Sequence, residues 1–154
     1  LSGLVGSEMC IRDREYTVMH AATTTNNTAL LEKAALTLPG AVTRATERLA
    51  TQHRFAADIV TCHRIGMDRE AHVIDYTLMF TTEDGDVEHS ADVEMTIGAD
   101  GTPVGVFATA HDGTGACFID GAMKEFGVDI TVNEAAAITA DIIINLLRDY
   151  AATK

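Results

Sequence analysis

Serine is nearly absent from this 154-residue chain: beyond Ser2 and Ser7, Ser90 is the only one. That scarcity nearly removes serine-nucleophile hydrolysis, which needs a serine beside a base. Cysteine is also sparse. Cys10 lies in an anomalous opening stretch, and Cys62 and Cys117 alone make neither a disulfide framework nor a four-cysteine zinc site. Lysine and arginine number 11 against 23 aspartates and glutamates, a net charge of −12. Phosphate backbones and anionic membrane surfaces repel such a chain, so neither nucleic acid nor membrane is an expected partner. Solubility or a salty habitat suffices to explain the acidity. The longest apolar run, AAAITADIIINLL, is broken by Asp141 and is too short to cross a bilayer. There is no internal repeat, no linker and no Walker-type or Rossmann-type motif.

The first 18 residues stand apart from the rest. VGSEMCIRDR, residues 5–14, has no helix or strand period and resembles the translation of a sequencing adapter fused to a metagenomic reading frame. Such segments are set aside in fold reasoning. The expected organisation is a non-native or disordered leader over 1–18, a flexible stretch over 19–27 beginning at Met19, and one α+β domain over 28–154. A cytoplasmic location follows only if the leader has not displaced a native signal.

Residues 28–52 carry Leu31, Ala35, Leu38, Val42, Ala45 and Leu49 at helical spacing, with Asn27 as N-cap and Pro39-Gly40 expected to kink or split the helix. The period then changes to two. In VEHSADVEMTI, residues 87–97, apolar and polar residues alternate, and Asp84-Gly85 before it predicts a two-residue hairpin turn. Closing that turn sets Leu78 against Ala91, Tyr76 against Val93 and Ile74 against Met95, with one apolar face. A second turn at GADG sets Met95 against Val104, Val93 against Val106 and Ala91 against Ala108. FAADIVTCHRI supplies a preceding strand of ambiguous facing, joined through GMDRE. ACFIDGAMKEF is expected as a short helix stopped by Gly127, burying Phe118, Ile119, Ala122 and Phe126. VDITV is either a fifth strand or extended chain. Asn133 is expected to cap a last helix with Ala135, Ile138, Ile142, Ile143, Leu146, Leu147 and Tyr150 inward and Ile144 at a boundary. The fold class is thus α+β in two layers: an N-terminal helix, a four-stranded antiparallel meander and two C-terminal helices on one sheet face.

Three constellations hold chemistry. In HDGTGAC, residues 111–117, a strand enters a glycine loop and a helix N-terminus, where Gly113, Thr114 and Gly115 would cradle an anion. Cys117 in the first helical turn would have a lowered pKa, with His111 as a nearby base. The plainer alternative outweighs this one: glycines that merely permit a turn, and a cysteine packed as a small hydrophobe. Asp112 also opposes an anion there.

The second constellation is the inner sheet face, where His72, Tyr76 and His89 join apolar neighbours as anchors for a small ligand, with Thr61 and His63 added if the first strand faces that way. His72 and His89 lie too far apart to share a metal, so no metal site is expected. Histidines satisfied at the edge of the core are the plainer alternative. The third is the acidic face of Asp75, Glu88, Asp92 and Glu94, with Asp75 opposite Glu94. Either a cation bridges that pair or the face is simply solvated, and the second carries more weight.

The run from Asp112 to Ile130 resembles the strand, Gly-x-Gly, helix step in the regulatory domain of α-isopropylmalate synthases. Ala116 stands where that step has proline, and the second copy of the repeat is missing, so no function is carried across. Three classes remain. The first choice is a binding or regulatory module holding a small molecule between sheet and helices, as a homodimer or higher homo-oligomer. The second is a small enzyme using His111 with Cys117, or a pocket histidine, as acid or base. The third is a structural or assembly protein. Nothing in the sequence identifies a cofactor.

Overall fold

The computed structural model describes residues 28–53, 59–112 and 118–152. Helix α1 spans 28–52. Strands β1 (Ile59–Asp68), β2 (Val73–Thr81), β3 (Val87–Ile97), β4 (Pro103–Asp112) and β5 (Phe118–Glu125) follow, and helix α2 (Val132–Ala152) closes the chain. The five strands form one antiparallel meander in the order β1-β2-β3-β4-β5. Both helices pack on one face of it, α1 toward β1 and α2 over β4 and β5. The fold is α+β, with five strands and two helices among the described residues.

Alternation in β2 and β3 builds the floor of the core. Ile74, Tyr76, Leu78 and Phe80 on β2, and Ala91, Val93, Met95 and Ile97 on β3, are all buried. Leu31, Leu38 and Val42 of α1 and Ile143, Ile144 and Leu147 of α2 cover them. Each large aliphatic side chain withdrawn from water here contributes about 1.5–3 kcal/mol. The expected β2–β3 register holds: Leu78 opposes Ala91, Tyr76 Val93 and Ile74 Met95. The turn is longer than expected. Thr82 N donates to Asp86 O at 2.9 Å and Gly85 N to Thr82 O at 2.9 Å, leaving Glu83, Asp84 and Gly85 as the loop, with Gly85 at φ 92°. A bulge at Glu88, between the Thr81–Val87 and Phe80–His89 pairs, absorbs the extra residue and restores the register.

Several expectations are corrected. The β3–β4 register is displaced by two residues, so Met95 opposes Val106, Val93 Ala108 and Ala91 Ala110. The loop is three residues, Ala99 to Gly101, closed by Gly98 N donating to Thr102 O at 2.7 Å. A β4 bulge between the Ile97–Pro103 and Thr96–Gly105 pairs adds one residue more. An even displacement leaves the faces unchanged.

Residues 118–125 form β5, not a helix. Ala, Met, Lys and Glu favour helix locally, yet the backbone of this segment completes the exposed ladder of β4, a gain that overrides propensity. The likeness to the α-isopropylmalate synthase step ends there, because its helix is absent. Ala122 and Phe126 do pack against the core. The VDITV segment is not a fifth strand: residues 128–129 are a turn, and Ile130 is buried after it.

Thr131, not Asn133, caps α2. Glu134 N donates to Thr131 Oγ1 at 3.1 Å and Thr131 N to Glu134 Oε1 at 3.2 Å, a reciprocal capping box. Ile144 is fully buried, because α2 packs on α1 as well as on the sheet: Ala45 and Leu49 lie across a shallow groove from Ala137 and Ala140. Helix α1 runs unbroken through Pro39. Asn27 lies outside the described residues.

Candidate functional site

Four rows of residues cross the sheet face turned away from the helices. Thr61, Met79, Ser90 and His111 form one row; His63, Thr77, Asp92, Thr109 and Gly121 the next. Asp75, Glu94, Phe107 and Met123 form the third, and Val73, Thr96, Gly105 and Glu125 the fourth. The last two rows enclose a groove of about 410 Å³, near the lower end of the usual range for ligand sites, roughly 300–1,000 Å³.

The β4 bulge makes this groove. It places two residues, Val104 and Gly105, where one would face Thr96. Val104 stands up as a half-exposed wall, while Gly105 carries no side chain and leaves the floor empty. A Cβ on Gly105 would lie 3.1 Å from the Lys124 carbonyl oxygen. The opposite wall is Phe107 beside Met123, respectively 38% and 76% exposed. Phe107 leans along β5: a Cβ on Gly121 would meet its Cε1 at 3.5 Å. Glu94 and Glu125 flank these apolar walls.

Next to the groove lies a polar chain. Thr77 Oγ1 donates to Asp92 Oδ1 at 2.7 Å, and His111 Nε2 sits 3.3 Å from both Asp92 Oδ2 and Thr109 Oγ1. His111 therefore leans over the Asp92–Thr109 pair, the row adjoining Glu94 and Phe107. A carboxylate that orients an imidazole is a usual acid–base arrangement.

The other expected site residues are dispersed. Tyr76 faces the helices and is 2% exposed, with no hydrogen-bond partner for its hydroxyl among the described residues. Burial, together with Cys62 nearby, holds its phenol far above the usual range. Burial also raises the Cys62 thiol, and Thr43 partly offsets this. His89 is on the inner face as expected, opposite Phe80, with its ring edge-on to Tyr150 at 6.4 Å between centroids.

His72 is not on a strand face. It occupies the β1–β2 turn at φ 57°, with Nδ1 2.6 Å from Ile97 O. Asp68 Oδ1 accepts from Glu70 N and Ala71 N, each at 3.0 Å, which moves the turn later than GMDRE. Thr61 and His63 are on the open face, 2.8 Å apart between Oγ1 and Nε2, and not with Tyr76. A β1 bulge between His63 and Gly66, with Arg64 at φ 56°, explains the mixed facing of that strand. Gly113, Thr114, Gly115 and Cys117 lie outside the described residues.

Asp75 does oppose Glu94. Among the described residues no group of three or more histidine, cysteine or acidic side chains is placed to hold a metal. No helix among them is long and apolar enough to cross a membrane. Sequence reasoning missed Gly105, Phe107 and Met123. The trace of Gly105 and Phe107 in the sequence is a PVGVF run with two apolar residues flanking a glycine, and Met123 lies outside it. No known family model, curated protein or solved structure matches the chain.

Proposed function

We propose that this chain is a small-ligand-binding or regulatory module whose site is the groove on the open sheet face. The observation that carries this is the Gly105 floor, a side-chain-free patch enclosed by Val104, Phe107 and Met123. Few polar anchors amid apolar walls are what a ligand site needs. The expected small ligand is kept and moved across the sheet, since Leu78, Phe80, Ile143 and Leu147 fill the helix side without exposure. The proposed module is cytoplasmic, away from nucleic acid and membrane, and a homodimer or higher homo-oligomer.

The test is a ligand-observed NMR fragment screen of the chain and of Gly105→Leu, with thermal melts to check folding. Fragments that bind the parent and are lost from the folded variant support the proposal. Equal binding to both contradicts it. If Gly105→Leu does not fold, Met123→Lys on the exposed rim serves instead.

The contact of His111 with Asp92 favours a second reading, an enzyme in which His111 moves a proton on a groove-bound substrate. His111→Gln would then abolish turnover while leaving binding intact.

A further inference from the structure

We propose that the groove takes an organic cation, an alkylammonium or related amine whose hydrocarbon part lies between Phe107 and Met123. This rests on the groove being the ligand site and adds the charge of its ligand.

Glu94 and Glu125 both line the groove, and neither has an ion-pair partner among the described residues. Asp75 stands directly opposite Glu94, and Asp92 lies in the adjoining row, so the field at that wall is negative. Lys124 is the one cation of the lining. Its carbonyl oxygen faces Gly105, and it pairs with Val106, so its backbone lines the groove while alternation roots its side chain on the opposite face of β5. Glu94 and Glu125 are two strands and one row apart, roughly 12 Å at the usual sheet spacings. A single cation therefore meets one carboxylate closely and feels the other through the field.

The walls determine what the cation must carry. A hydrated inorganic ion would leave Val104, Phe107 and Met123 uncovered, whereas an alkyl chain buries them. The exposed Phe107 ring attracts a cationic head beside it, and the adaptable Met123 side chain packs along the alkyl part. An organic anion would face two unpaired carboxylates. A second copy of the chain laid on this face would bring the Asp75, Glu94 and Asp92 surface against its own image, so self-association through it is opposed by like charge.

The experiment titrates the full chain, labelled at methionine methyls, with hexylammonium, hexanol and hexanoate. The Met123 methyl and calorimetry report binding. Hexylammonium is expected to bind about tenfold more tightly than hexanol, and hexanoate more weakly than both. Raising salt to about 0.5 M should erase most of the ammonium advantage and leave hexanol unchanged. The double variant Glu94→Gln with Glu125→Gln should bring hexylammonium down to the hexanol level. Equal or better binding of hexanol or hexanoate at Met123 overturns the cation while the groove stands. Failure of all three to shift Met123 overturns the groove as well.

Discussion

Gly105 lies against the Lys124 carbonyl so closely that a Cβ there would stand 3.1 Å from the oxygen. Adding one carbon at this point both narrows the groove and presses on the backbone of β5. Gly105→Ala is expected to cost about 1–2 kcal/mol of stability and to weaken any groove ligand at least several-fold. Gly127→Ala, which meets nothing within 4 Å, should be neutral or stabilising by about 0.4–1 kcal/mol. Denaturant melts of the two variants check the contrast.

Tyr76 offers a test in the core. Its buried hydroxyl has no partner among the described residues, and an unsatisfied group of that kind costs about 1–3 kcal/mol. Tyr76→Phe removes the group and should raise stability by about 1 kcal/mol, read from the urea midpoint.

The same residue sets an alkaline limit. The folded-state pKa values of Tyr76 and Cys62 are raised above their unfolded values, so their contribution is fully present below the unfolded values. It is lost as pH rises beyond them, from about 8.5 for the thiol and about 10 for the phenol. The folded state holds protons there that the unfolded chain releases, and stability falls by up to about 1.4 kcal/mol per pH unit for the buried Tyr76 and by less for the part-exposed Cys62. Urea melts from pH 7 to 11 should show this loss. Tyr76→Phe should flatten the part above pH 10.

At the start of α2 the cap is the point at issue. Thr131→Ala should cost about 1 kcal/mol by removing the acceptor for Glu134 N. Asn133→Ala, past the cap and exposed, should lie within about 0.5 kcal/mol of the parent. Thermal melts separate the two.

The β2–β3 hairpin was legible because both strands bury one face: a one-residue slip from the register that puts Tyr76 beside Val93 would turn one strand's apolar residues outward. Bulges leave no such mark. The one at Val104-Gly105 moved the β4 register by part of a two-residue step, and Arg64 turned β1 over at Gly66, with no change in hydrophobic pattern to announce either. Strand β5 was hidden for another reason. Edge position exposes Asp120, Met123 and Lys124 alike, so neither face alternates and the helix-favouring residues dominate. The groove inherits both difficulties, since its floor is a bulge glycine and one of its walls belongs to β5. The sequence sets His111 beside Gly113 to Cys117, whereas its described partners, Asp92 and Thr109, come from sheet pairing.

The central claim is that a ligand binds the open sheet face. The most direct measurement is a methyl NMR titration with the fragment that binds most tightly, comparing Met123 on the groove wall with Met95 in the core. The account predicts a saturable shift at Met123 with Met95 unmoved. A saturable shift at Met95 with Met123 silent would place the ligand between sheet and helices and contradict it.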